Sequence, residues 1–216
     1  NGMRMSRGIP GCPKVRMGTA GEYFRKLEQT VKDSKYLPKW VGELYLEYHR
    51  GTYTSIARNK RYNRKSELLY QDVEFLSSLA MFLGKEYPQQ PINQGWETIL
   101  LNQFHDIIPG SSIREVYEDS KKQYEEILNV GTELANKATN EIGAQIDLKE
   151  RSVVAYNTLA FDRDDIVTFE VPDDIQYPCI VDDNGKILPC QVIEKDGKRN
   201  AIFFAHGLPS KGYKAF

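Results

Sequence analysis

Apolar residues return every three or four positions through the middle of this chain, the mark of helices that bury one face. Leu69, Val73, Leu76, Ala80 and Leu83 form one stripe, and Leu68, Phe75, Leu79 and Phe82 form a second beside it. Together they predict a helix from Thr54 to Gly84 covered on two sides, with Ser55 as its N-cap. Tyr87 to Gly95 carries Pro88, Pro91 and Gly95 and reads as a loop. A second helix is expected from about Gly95 to Ile108, ended by Pro109-Gly110. Ser112-Ile113-Arg114-Glu115 reads as a capping box that opens a third helix. In that helix Ile113, Tyr117, Ser120, Tyr124, Ile127, Gly131, Leu134 and Ala138 keep the spacing to about Ile142. Three helices with short connections predict an antiparallel three-helix bundle.

The flanks follow other patterns. Asn1 to about Met17 is rich in Gly, Pro and basic residues and reads as loop, and Thr19 to Ser34 carries a short helical pattern around Tyr23, Phe24 and Leu27. In the segment Leu37 to Thr54, Leu44, Leu46 and Tyr48 alternate with Glu43, Tyr45, Glu47 and His49. A period of two favours an extended segment with one apolar side and one side of carboxylates, phenol and imidazole. That polar side suits either a wall of a sugar pocket or a half-exposed edge. Beyond Lys149, β-like runs appear at Ser152–Asn157, Asp165–Val171, Ile187–Ile193 and Asn200–Ala205, with a last strand over Gly212–Phe216. Asp183-Asn184-Gly185 and Asp196-Gly197 are the expected hairpin turns. A strand that closes the chain with few partners implies a sheet continued elsewhere. The fold class is therefore α+β, a multidomain fragment divided as 1–53, 54–148 and 149–216.

Composition narrows the partners. A net charge of -1 over 216 residues gives no electrostatic case for nucleic acid or an anionic membrane, and no apolar run is long enough to span a bilayer. The basic run Arg58, Lys60, Arg61, Arg64 and Lys65 reads as a solvated or salt-bridged helix face. Cys12, Cys179 and Cys190 form no CxxC pair, and free thiols fit a reducing compartment, taken here as cytoplasmic. The chain opens at Asn1 rather than Met, which is compatible with an expression tag or with a missing upstream part.

The candidate chemistry lies at the end of the second helix. On a wheel of 3.6 residues per turn, Trp96, Ile99, Leu100, Leu101, Phe104, Ile107 and Ile108 make a wide apolar face. Thr98, Asn102, His105 and Asp106 share what remains, with no Lys or Arg among them. A neutral imidazole suits a metal, and a carboxylate and an amide suit sugar hydroxyls. The same residues also suit an ordinary hydrogen-bonded surface pair. One His is not a zinc site, because zinc takes at least three protein ligands.

Three segments carry a family resemblance. They are Gly42-Glu43-Leu44-Tyr45-Leu46-Glu47-Tyr48-His49-Arg50-Gly51-Thr52-Tyr53-Thr54-Ser55, then Lys60-Arg61-Tyr62-Asn63-Arg64, then Asn102 to Ser112. In this order and at these separations they resemble the α-mannosidases of glycoside hydrolase family 38, nearest the bacterial and cytosolic branch. The resemblance implies the tail of a catalytic domain, a three-helix bundle and the start of a β-sandwich domain. It implies a zinc-dependent retaining mannosidase acting on terminal α-mannosides of glycans. His105 matches the zinc-ligating His of the helical domain, and Asp106 matches a contact to hydroxyls of the terminal mannose. Arg50 and Tyr53 are candidate substrate contacts, while roles for Glu43 and His49 stay open. The remaining zinc ligands, the nucleophile and the acid/base have no matching segment, so the chain implies no catalytic residue of its own and a missing N-terminal catalytic domain as partner. The competing reading is a stand-alone carbohydrate-binding or scaffold module. An open polar face flanked by exposed apolar surface would favour the enzyme part.

Overall fold

A computed structural model describes the chain except Asn1, Arg7, Tyr45, Leu46 and Asp196 and the side chains of Met3 and Lys195. The chain divides into two compact units, residues 1–47 and 48–216.

The first unit holds α1 (Gly2–Ser6) and α2 (Ala20–Val31). Thr19 caps α2 by accepting from the Glu22 amide, and the Glu22 carboxylate draws in Arg16 and Lys26. None of α2's residues is buried within this unit. Tyr23 and Phe24 meet edge to face, yet both remain open to solvent. The expected extended segment between Leu37 and Thr54 is not found among the described residues. A 3-10 helix spans Glu47–Tyr53 instead, and Tyr45 and Leu46 lie outside the described residues. Period-two alternation makes a strand only where a neighbouring strand takes up the backbone groups. Here the Gly51 carbonyl accepts locally from the amides of Thr54 and Ser55.

The second unit packs α3 (Ala57–Phe82), α4 (Gln89–Asn102) and α5 (Arg114–Gly143) against one another. The pairs Asn59–Ser120, Asn63–Tyr124 and Tyr70–Ile127 advance together, so α3 and α5 run the same way. Glu74–Trp96 and Glu67–Gln103 advance in opposition, so α4 runs against α3. Tyr70, Ile99, Tyr124 and Ile127 form the central core, and Leu76, Ala80, Ala138 and Ile142 form a second cluster further along. Tyr70 decides the spacing. A Cβ on Gly95 would lie 1.9 Å from its ring, and one on Gly131 would lie 2.9 Å from it. Both backbones therefore rest directly on the phenol, whose hydroxyl donates to the Ile127 carbonyl at 3.1 Å. Burial pushes the Tyr70 titration up, so the hydroxyl stays a donor.

The helix faces match the apolar stripes better than the helix ends match their signals. On α5, Tyr117, Ser120, Tyr124, Ile127, Gly131 and Ala138 are all buried. On α3, the second stripe is covered only in part, because Phe82 and Leu68 are exposed. Ser55 does not cap α3; Ile56 precedes it in a left-handed conformation with no side-chain cap. Helix α4 starts at Gln89, inside the expected loop. Pro91 falls in its first turn, where an amide would have no helical acceptor, so the proline costs little there. The capping box is absent as well: Ile113 occupies the cap position of α5 without a side-chain bond.

Among the described residues seven strands follow: β1 (Val154–Asn157), β2 (Arg163–Glu170), β3 (Ile180–Val181), β4 (Ile187–Leu188), β5 (Cys190–Lys195), β6 (Lys198–Leu208) and β7 (Gly212–Ala215). They form three antiparallel sheets, β1–β7, β2–β6–β5 and β3–β4. Ala155, Ile180, Leu188, Phe203, Ala205 and Leu208 form their shared core. The Asp182 carboxylate accepts from the amides of Asn184 and Lys186 and closes the β3–β4 turn. In the β5–β6 turn Lys195 opposes Lys198, and Asp196 is outside the described residues. Strands and helices are joined where Tyr156 donates to the Thr139 carbonyl and Thr158 donates to Asp72. The architecture is α+β. No helix among the described residues is long and apolar enough to cross a membrane.

Candidate functional site

Between α4 and α5 the chain makes a corner, residues 103–113. Helix α4 ends at Asn102, and the backbone then unwinds through short turns: Phe104 donates to Leu101, Ile107 to Phe104, and Gly110 to Ile107. Pro109 brings no amide donor and so cannot extend the helix. His105 and Asp106 therefore sit in the turn and not on the helix, as the wheel had them. Their side chains are 77% and 62% exposed, with Nε2 of His105 3.3 Å from Oδ2 of Asp106. The Phe104 ring lies beside the imidazole, centroid to centroid 4.2 Å.

Asn102 separates from this pair. It is buried and donates to Thr98 O and to Oε1 of Gln123. Its task is to join α4 to α5, while its Oδ1 finds no partner among the described residues. Gln103 turns inward likewise and donates to Asn63 and Glu67 of α3. The four-residue polar face thus splits into a buried amide that holds the helices and an exposed imidazole–carboxylate pair.

The corner is held by its backbone. Ser112 Oγ donates to the Asp106 carbonyl. The buried Tyr117 donates to the Ile107 carbonyl at 3.2 Å and accepts from the Ser112 amide at 3.0 Å. Lys60 Nζ donates to the carbonyls of Ile108, at 2.9 Å, and Ser55. Gly110 has φ 89, and a Cβ there would lie 2.7 Å from the Ser55 carbonyl oxygen, so only glycine fits. Ser55 follows closely on the 3-10 helix that carries Arg50 and Tyr53. The two stretches that hold the candidate residues are therefore in contact through Ser55 and Gly110.

Lys60 and Tyr117 were not legible as site residues. Tyr117 falls in the apolar stripe of α5 and reads as core, and Lys60 falls in a basic run that reads as a solvated face. Burial pushes the Lys60 titration down.

Chemically the corner offers one imidazole as a metal ligand and one carboxylate as an acceptor for hydroxyls. Among the described residues no group of three or more His, Cys, Asp or Glu converges on a metal position. His105 and Asp106 by themselves offer part of a metal's ligand set, not a whole one. Leu100, Leu101 and Phe104 are more than half exposed beside the pair. A polar pair flanked by bare apolar surface marks an interaction face.

Residues 47–142 match the family of the alpha mannosidase middle domain. The chain is 38% identical over 164 residues to alpha-mannosidase 2C1 of Mus musculus, an alignment covering 75% of this chain and 15% of that protein. It is 34% identical over 163 residues to an alpha-mannosidase of Saccharomyces cerevisiae, covering 73% and 15%. The chain spans about 15% of the length of these curated relatives. A glycosyl hydrolase family 38 protein from Enterococcus faecalis shares the fold, with a TM-score of 0.66 and 19% identity, over 99% of this chain and 29% of that one.

Proposed function

We propose that this chain, whose residues 47–142 match the alpha mannosidase middle domain, supplies one wall of the active site of a zinc-dependent retaining α-mannosidase acting on terminal α-mannosides of glycans. The observation that carries the reading is the exposed His105–Asp106 pair on a corner whose backbone is pinned from three sides. An imidazole meant only to pack would be covered. This one is presented beside apolar side chains that await a cover.

In this reading residues 1–53 are the tail of a catalytic domain, 54–148 the middle domain and 149–216 the start of a β-sandwich domain. The catalytic domain of the longer protein docks over Leu100, Leu101 and Phe104. His105 gives one nitrogen to the zinc, and Asp106 accepts hydrogen bonds from hydroxyls of the terminal mannose. Arg50 and Tyr53 line the same cleft from the neighbouring turn. The zinc supplies Lewis-acid binding of sugar oxygens and charge stabilisation. A retaining glycosidase needs two carboxyl groups about 5 Å apart across the sugar, and both belong to the docking domain. The chain alone therefore binds zinc weakly or not at all and hydrolyses nothing. The three free thiols support a cytoplasmic setting.

The test is His105→Ala in the full-length protein, with zinc content and mannoside hydrolysis measured together. Both should fall by at least about a hundredfold, since even groups that merely orient a metal ligand act on a tenfold to hundredfold scale. Unchanged zinc affinity would remove the assignment of His105. Tight one-to-one zinc binding by the present chain, lost on His105→Ala, would remove the shared site.

A further inference from the structure

Lys60 stands apart from the other cations around the helices. Arg64 pairs with Glu67, Arg114 with Glu118 and Lys121 with Glu125, each cation on a carboxylate. Lys60 is half-buried, and its ammonium donates to the backbone carbonyls of Ser55 and Ile108. An ammonium gives up strong hydration when it is covered, and it recovers that loss only where acceptors are fixed in place. The two acceptors belong to different loops. Ser55 follows the 3-10 helix that bears Arg50 and Tyr53, and Ile108 lies in the corner that bears His105 and Asp106. The same two loops touch at Gly110, where the missing side chain admits the Ser55 backbone.

We propose that Lys60 is a positioning residue: its ammonium ties the Arg50–Tyr53 turn to the His105–Asp106 corner, so that one cation sets the spacing between them. What that spacing serves, metal and sugar binding, rests on the function proposed above; the tie itself does not. Lysine suits the task because three donors on a flexible stem can reach two carbonyls that belong to no common element.

The experiment uses the full-length protein with Lys60→Met, which keeps the stem and removes the donors, and Lys60→Arg, which restores donors. Hydrogen exchange is followed in peptides covering 51–56 and 103–112 and, as a control, in the core of α5. Zinc affinity is measured by calorimetry on the same proteins. Lys60→Met should speed exchange about tenfold in the two loops, the scale of a lost hydrogen bond to a charged group, and leave α5 unchanged. Zinc affinity should fall about tenfold to a hundredfold, and Lys60→Arg should recover most of both. Exchange that rises equally through α3 to α5 would make Lys60 an ordinary stabiliser and overturn the proposal, as would unchanged exchange in both loops. If His105→Ala loses zinc while Lys60→Met changes nothing, the tie falls and the metal assignment stands. If the loops loosen while His105→Ala keeps its zinc, the tie stands and the metal assignment falls.

Discussion

The corner pair His105–Asp106 has a counterpart at the sheet rim of the second unit, His206–Asp164. His105 and Asp106 are neighbours in the chain, on the corner after α4. His206 and Asp164 meet across β6 and β2, with Nδ1 3.0 Å from Oδ2. Exposure is similar in both, so exposure does not separate them. What separates them is how each is held. At the sheet rim the side chain does the holding: Asp164 also accepts from the Gly207 amide at 2.7 Å. That bond, and then the His206 imidazole, hold its titration below the usual carboxylate range. At the corner the backbone does the holding, through the carbonyls of Asp106, Ile107 and Ile108. A site pinned by its main chain keeps its side chains available for a ligand. One pinned by its carboxylate has spent it on structure.

The widest separation between the pairs should appear in function. His105→Ala in the full-length protein should cost at least about a hundredfold in hydrolysis, while His206→Ala should leave the rate and the zinc content unchanged. Equal losses from the two would erase the distinction drawn here.

Next comes the glycine that follows each histidine. Gly110→Ala adds left-handed strain of about 1–3 kcal/mol and about 1–3 kcal/mol more from overpacking against Ser55. Gly207 has φ 64 with open space around the position of a Cβ. Gly207→Ala should therefore cost only about 1–2 kcal/mol, the strain alone. Urea unfolding of the two variants measures the gap, and a larger loss at Gly207 would reverse the ranking.

The smallest effect is one of pH. Because Asp164 titrates lower when folded, its contribution is fully present above the ordinary carboxylate range and is lost as pH falls through its lowered value. Asp164→Asn should lower the thermal midpoint at neutral pH, and the difference from the parent should close in acid. A difference that stays constant with pH would show that the ionised form contributes nothing.

Much of the helical part was legible in the sequence, and the reason is periodicity. The α5 stripe from Tyr117 to Ala138 names the buried positions almost one by one, because packing against α3 and α4 demands that spacing. Ends were less legible. Pro91 reads as a breaker, yet in a first turn it breaks nothing. Ser112 reads as a cap, yet its hydroxyl goes back to Asp106. The alternation before Tyr53 reads as a strand, but the amides after it bond locally. At the site, sequence brought His105 and Asp106 together because they are adjacent. It could not separate Asn102 from them, since its bond to Gln123 depends on a helix further along the chain. Lys60 was hidden for the same reason: its partners are carbonyls, and backbone acceptors leave no mark in composition.

Tyr70 has a consequence beyond its share of the core. Its ring is gripped on two sides by bare main chain, at Gly95 and Gly131. Sliding α4 or α5 along α3 by one turn would drive a side chain into that ring. The phenol thus works as a locating pin, and the height at which the corner leaves the helices is gauged at a residue that no ligand ever meets.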